Sequence, residues 1–317
     1  MWAYEKECLV EKYDCENIVS YSTIKIGLLA HHKMERRLQM TVDSFEKKKE
    51  YLLCVDSDGC AMDTMDIKHF KCFGPCMVTE WGLEEWKEEI LTRWNEINLY
   101  TMTRGINRFK GLAMALKEIN ERYTTIEDVE LLCKWAEESN ELSNAAVARE
   151  IKSSNSVIFR KALSWSQSVN EAINELPFAT KKPFEGVKEA LAYAHQYVDV
   201  AIVSSANYEA VIEEWALYGL LEHVDIVMAQ NVGSKAFCIS EMVKKGYDKD
   251  KVLMAGDAPG DFDAAKKNEV FFYPILVRHE KESWEEFKEM AVSKLLSGEY
   301  AGEYQQKKTE EFLLNLK

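Results

Sequence analysis

Two carboxylates one residue apart, Asp56 and Asp58, follow the apolar run Tyr51-Leu52-Leu53-Cys54-Val55 and meet a glycine at Gly59. An apolar run of that length reads as a parallel strand covered on both faces, ending where open α/β sheets hold their ligands. Strand geometry presents Asp56 and Asp58 toward one crevice, and Gly59 lets the backbone turn sharply. The segment is therefore read as an acidic active-site loop, against the alternative of a plain solvated turn, for which Asp and Gly are equally suited.

Three later segments supply parts that such an acid pair needs. Ala255-Gly256-Asp257-Ala258-Pro259-Gly260-Asp261 closes another apolar run with two more carboxylates. Acids gathered at strand ends repel unless a cation is present, and a hard, oxygen-seeking ion such as Mg2+ fits, with Asp56 and Asp257 as direct ligands; the alternative is a purely structural turn. Ser204-Ser205-Ala206-Asn207 stands between the run Val198–Val203 and a helix, where hydroxyls and free N–H groups suit a phosphate; the alternative is a helix cap. Lys235 follows a Gly-Ser pair after the run 225–229, and is read either as an anion-binding group or as a surface lysine.

The elements that must position these groups are legible as alternating strands and helices. Strands are expected at 198–203, 225–229, 251–255 and 270–275, with helices at 207–219, 235–246 and 261–267 between them. Short repeats of this kind call for parallel strands joined by right-handed crossovers, hence a doubly wound α/β core. From about 80 to 176 the chain is rich in Glu, Lys, Leu and Ala and nearly free of Pro and Gly, an all-helical pattern. The organisation expected is an amino-terminal helical appendage at 1–50, a core at 51–66 and 180–290, a helical cap at 67–179 and a carboxyl-terminal helix at 291–317.

Bulk properties narrow the partners. With 317 residues, 47% of them apolar, the chain can bury a large core. Its formal net charge of -14 disfavours nucleic acid and anionic membranes, so an anionic substrate must be drawn in locally, by a metal or a lysine. No apolar stretch approaches membrane-spanning length and the first residues lack a leader pattern, so a cytoplasmic location is expected. Eight scattered cysteines are expected to be reduced thiols, and the spacing of His69, Cys72 and Cys76 lacks the second ligand doublet of a zinc site.

Taken together, Asp56-Ser57-Asp58-Gly59-Cys60-Ala61-Met62-Asp63-Thr64, Ser204, Lys235 and Asp257 with Asp261 resemble, in order, the four motifs of the haloacid dehalogenase superfamily. The resemblance covers about 51–66 and 180–280, and the helical 67–179 sits where members with a first-type cap carry it, as in phosphoglycolate phosphatase-like proteins. Cys60 departs from the commonest motif, which has threonine there. The resemblance implies a Rossmann-like core, with Asp56 as nucleophile and Asp58 as acid/base. It places Mg2+ on Asp56, the Asp58 carbonyl and Asp257, supported by Asp261, and phosphoryl oxygens on Ser204, Ser205 and Lys235. The activity implied is hydrolysis of a small phosphorylated metabolite, with a phosphomutase or a non-catalytic phosphate-binding scaffold as alternatives. In the cap, Arg104 and Arg108 of the basic loop Thr103–Lys110 are expected to face the site and read the leaving group.

Overall fold

The computed structural model describes residues 41–317. Most of the expected amino-terminal appendage lies outside the described residues. Its remainder, 41–50, has no helix: a turn at 42–44 leads through an irregular segment and a bend into the first strand.

Five parallel strands form the central sheet: β1 (Tyr51–Val55), β4 (Val198–Val203), β5 (Ile226–Met228), β6 (Val252–Gly256) and β7 (Phe271–Pro274), in the order β5-β4-β1-β6-β7. β1 lies between β4 and β6, with Val55 beside Ile202 on one side and Ala255 on the other. The strand order reverses beside β1, so a crevice opens there at the carboxyl ends of β1, β4 and β6. Both faces of the sheet are covered. Leu52 and Cys54 pack with Ala201, Val203, Val252 and Met254 in one cluster, while their neighbours Leu53 and Val55 are equally buried. That is why β1 reads as a continuous apolar run rather than an alternating one.

Two further short strands, β2 (Met62–Asp63) and β3 (Lys182–Pro183), pair antiparallel. They mark where the chain leaves the core and where it returns, with Phe184 N–H donating to the Ala61 carbonyl at 3.1 Å. Between them the chain is helical, from Met65–Lys68 through Gly74–Trp81, Lys87–Asn95, Arg108–Arg122, Val129–Glu138 and Asn144–Ser154 to Val157–Asn174. This insertion has its own core, in which Trp94, Phe109, Leu112, Leu116, Leu132 and Trp165 are fully buried. Trp165 packs edge-on against Trp94 and Phe109, and each buried indole N–H is satisfied: Trp165 by the Phe73 carbonyl, Trp94 by His69 Nδ1. A buried indole without an acceptor would be costly, so these bonds fix ring orientation as well as packing.

The last helices do not lie wholly in solvent. Helix Glu303–Asn315 packs on β7 through Phe312, and its Lys308 is buried between Glu286 and Glu311. No helix among the described residues is long and apolar enough to cross a membrane.

Candidate active site

Asp56 follows directly on β1, and its N–H donates to the Ala255 carbonyl at 3.0 Å, so the β1–β6 ladder itself places the residue. Asp257 follows β6 in the same way, and Asp261 lies in the first turn of helix Pro259–Asn268. Asp261 accepts the Ala258 N–H at 3.1 Å, which caps the helix and aims the other carboxylate oxygen inward. Asp56, Asp257 and Asp261 are all buried, and each offers an oxygen within 4.8 Å of the other two.

Two cations compensate this cluster. Lys235 opens helix Lys235–Val243 and spans the acids, with Nζ 2.9 Å from Asp56 and 2.6 Å from Asp261. Arg104 comes from the helical insertion and places Nε 2.6 Å from Asp257 Oδ2, while its Nη1 donates to the Leu99 carbonyl at 2.8 Å. Both side chains of the Arg104–Asp257 pair are only 1% exposed. Gly59 makes the close approach possible: its φ is +84°, and a Cβ there would lie 2.5 Å from Asp257 Oδ2 and 2.6 Å from Arg104 Nη2.

Burial dominates the electrostatics. It raises the Asp56 carboxyl to about 7 against the pull of Lys235, with the Asp261 charge adding to the rise. It raises Asp257 to about 6, Arg104 opposing, and it raises Asp261 as well. Lys235 moves up despite its burial, because Asp261 and Asp56 hold its proton. The second Asp257 oxygen, Oδ1, is buried without any hydrogen-bond partner. An orphaned carboxylate oxygen beside two more buried carboxylates is a set of hard donors suited to a small divalent cation, so the residues present fit Mg2+.

Asp58 points elsewhere. Its carboxylate accepts Thr64 Oγ1 at 2.6 Å and is gripped through both oxygens by Lys68 Nζ at 2.8 and 2.7 Å. Burial alone would raise it, but the Lys68 ion pair and these hydrogen bonds outweigh burial and hold it below the usual carboxylate range. The side chain is not among the clustered acids, which leaves the backbone carbonyl as the route by which Asp58 could ligate. Glu214, buried on helix Tyr208–Leu217, adds to the charge that keeps Lys68 protonated.

The loop between Asp56 and Thr64 is held by indoles from distant helices. Trp215 donates to Ser57 Oγ at 2.9 Å and Trp284 to the Cys60 carbonyl at 3.0 Å. Cys60, at the position where the superfamily commonly has threonine, is fully buried with its thiol 3.6 Å from the Ala255 carbonyl, and burial pushes that thiol up.

Other expected residues are placed differently. Ser204 lies at the end of β4, but its hydroxyl accepts the Ala206 N–H within its own turn, and Ser205 is exposed. Asn207 caps the next helix by accepting the Ala210 N–H. Arg108 does not reach the site. It donates to Ser166 Oγ and Asn170 Oδ1 and lies over the Phe73 ring, binding helices of the insertion together. Arg104 does reach it, but meets the core carboxylate Asp257 rather than an open substrate position. His69 is an acceptor for Trp94, and burial lowers its pKa to about 3, so it is a neutral core histidine. Lys68 was not foreseen. The available signal was its position four residues after Thr64, on the same helical face.

The fold and the site together define a doubly wound α/β core with a helical insertion after its first strand. The sequence profile of the haloacid dehalogenase-like hydrolases matches residues 130–275, which contain Ser204, Lys235, Asp257 and Asp261 but not Asp56. No curated protein sequence matches the chain. Among solved structures it is similar to a putative phosphoglycolate phosphatase from Lactobacillus delbrueckii subsp. bulgaricus, at 16% identity over 72% of this chain and 86% of that one (TM-score 0.44). It is also similar to a haloacid dehalogenase-like hydrolase from Streptococcus pneumoniae, at 10% identity over 78% and 97% (TM-score 0.42). A magnesium-bound putative hydrolase of the superfamily from Bacillus subtilis matches at 11% identity over 72% and 87% (TM-score 0.43).

Proposed function

We propose that the protein is a Mg2+-dependent phosphomonoester hydrolase that acts on a small phosphorylated metabolite through a phosphoryl group carried on Asp56. The observation that carries this reading is the Lys235 bridge: one buried ammonium touches Asp56 at 2.9 Å and Asp261 at 2.6 Å, and Asp257 joins the same cluster. A carboxylate so held is oriented for attack: Lys235 fixes Oδ2 and the Ser57 N–H also donates to the carboxylate.

In the first step Asp56 attacks phosphorus, the ester P–O bond breaks, and the leaving oxygen takes the electron pair together with a proton from Asp58. In the second, water gives a proton to Asp58 as its oxygen attacks phosphorus, and the P–O bond to Asp56 breaks to restore the carboxylate. Asp58 must loosen from Lys68 to take up the proton that it donates, since the ion pair favours its charged form. Lys235 and the Ser204–Ser205 turn would hold phosphoryl oxygens, Ser204 by donating its O–H while it still accepts the Ala206 N–H. Asp56, Asp257, Asp261 and the Asp58 carbonyl would hold Mg2+, which when bound supplies neutralising charge between the anionic nucleophile and an anionic substrate. The helical insertion would close over the site and exclude water.

The test is Mg2+-dependent release of inorganic phosphate from a panel of phosphomonoesters, run beside Asp56→Asn. Release that needs Mg2+ and falls by at least about a thousandfold in the variant is expected. Release that persists in Asp56→Asn would remove Asp56 as the nucleophile.

A further inference from the structure

We propose that Arg104 is a built-in competitor for the cation site: its guanidinium stands in for a metal ion at Asp257, so that cation binding and the seating of loop 101–107 oppose one another. The inference rests on the cation site of the proposed function and assigns to Arg104 a positioning role exercised through Asp257.

The geometry is that of a charge exchange. A guanidinium carried out of water requires a charged or well hydrogen-bonded partner. Arg104 finds both, in Asp257 Oδ2 at 2.6 Å and the Leu99 carbonyl at 2.8 Å. The ion pair joins residues 153 positions apart, one in the insertion and one at the end of β6. The loop that carries Arg104 is seated tightly on the acidic loop. Gly105 has a φ of +67°, and a Cβ there would stand 2.9 Å from the Ala258 Cβ.

Asp257 thus uses one oxygen for Arg104 and keeps the other buried without a partner, and its carboxylate places an oxygen within 4.8 Å of oxygens of both Asp56 and Asp261. A divalent cation drawn to those three acids would meet the Arg104 charge one carboxylate away. Like charges at that spacing, in a site closed to water, destabilise each other strongly. Metal binding is therefore expected to weaken the Arg104–Asp257 contact, and the seated loop to weaken metal binding. Freed from Asp257, the same guanidinium lies beside the crevice where an anionic substrate would sit.

Isothermal titration with MgCl2 tests this without reference to turnover, using the full chain stripped of divalent ions, Arg104→Gln, Arg104→Lys and the control Asp257→Asn. Arg104→Gln is expected to bind Mg2+ about tenfold more tightly than the wild type. Arg104→Lys, which keeps the charge but cannot fork onto both Asp257 and the Leu99 carbonyl, should tighten binding by about threefold. If Arg104→Gln fails to fold, as judged by circular dichroism, the lysine variant decides alone. Unchanged or weaker Mg2+ binding in the folded variants would overturn the competition and make Arg104 a support of the metal site instead. Absence of Mg2+ binding, or binding that survives Asp257→Asn, would overturn both this inference and the cation reading beneath it. The expected shift in a protein that releases no phosphate would uphold the competition and sink only the hydrolase reading.

Discussion

The two ends of the central sheet each bury aspartates, with opposite electrostatic results. At the carboxyl end Asp56, Asp257 and Asp261 are compensated chiefly by two side-chain cations, and their pKa values rise. At the amino end Asp225, just before β5, accepts the Val200 N–H, His195 Nε2 and Lys48 Nζ, while Asp199 Oδ2 accepts the N–H groups of Lys48 and Lys49 and the Tyr247 hydroxyl. Burial would raise Asp225, yet its hydrogen bonds from His195 and Val200, followed by the remaining charge contacts, push it well below the usual carboxylate range. Depth of burial is thus similar and the outcome is not. Backbone N–H groups, His195, Lys48 and Tyr247 donate to the acids that tie residues 48–49 to the core, although Asp199 Oδ1, like Asp257 Oδ1, is buried without a partner. The acids beside the crevice instead share two side-chain cations among three clustered carboxylates, an excess of buried negative charge that fits the cation of the proposed function.

The largest effect that separates the two ends is removal of a compensating cation. Lys235→Met leaves Asp56 and Asp261 buried without their shared partner, and is expected to cost about 3–5 kcal/mol in urea unfolding of the metal-free protein. It should also lower phosphate release by at least about a hundredfold. No amino-end variant should approach that loss of release. Next in size, Mg2+ at about a hundred times its dissociation constant should stabilise the wild type by about 2.7 kcal/mol. That gain should vanish in Asp257→Asn and persist in Asp225→Asn; its persistence in Asp257→Asn would erase the functional distinction between the ends.

Asp225→Asn, which loses charge-assisted bonds, is expected to cost about 1–3 kcal/mol without changing phosphate release. The two ends should also differ in pH dependence. Asp56 and Asp257 have folded pKa values of about 7 and about 6, above the unfolded value near ~3.9, so their contribution is fully present below about pH 4 and is lost as pH rises through 6 to 7. Asp225 is depressed, so its contribution is present above about pH 4 and is lost on further acidification. Denaturant midpoints of the metal-free protein across pH 3 to 8 should fall at both extremes, with Asp257→Asn relieving the alkaline fall and Asp225→Asn the acid one. The smallest effect, about 1 kcal/mol, is expected for Tyr247→Phe, again with phosphate release unchanged.

Much of this site was legible before folding because its parts are local. An apolar run followed by acids marks a strand end whatever the rest of the chain does, and so Asp56, Asp257 and Asp261 were placed in one crevice. Lys235 stands at the same edge, but its local sequence suits a surface lysine equally well, and only the resemblance of the four segments taken together gives it a role. Arg108 was misplaced because a basic residue near a glycine has no local signal for direction; Ser166, Asn170 and Phe73, from two other helices, decide where it points. The grip of Lys68 on Asp58 was missed because it concerns a helix whose start depends on how the chain leaves the core.

The sequence by itself determined the alternation of strands and helices, the acidic ends of β1 and β6 and the helical character of the insertion, because periodicity and turn chemistry act over a few residues. Only the tertiary structure decided that Arg104 reaches Asp257, that Lys68 holds Asp58 ionised, and that Trp215 and Trp284 brace the loop between the acids. Those contacts join residues far apart in the chain, or depend on the exact path of a turn, and their energies come from burial and charge pairing that exist only once the insertion has closed on the core.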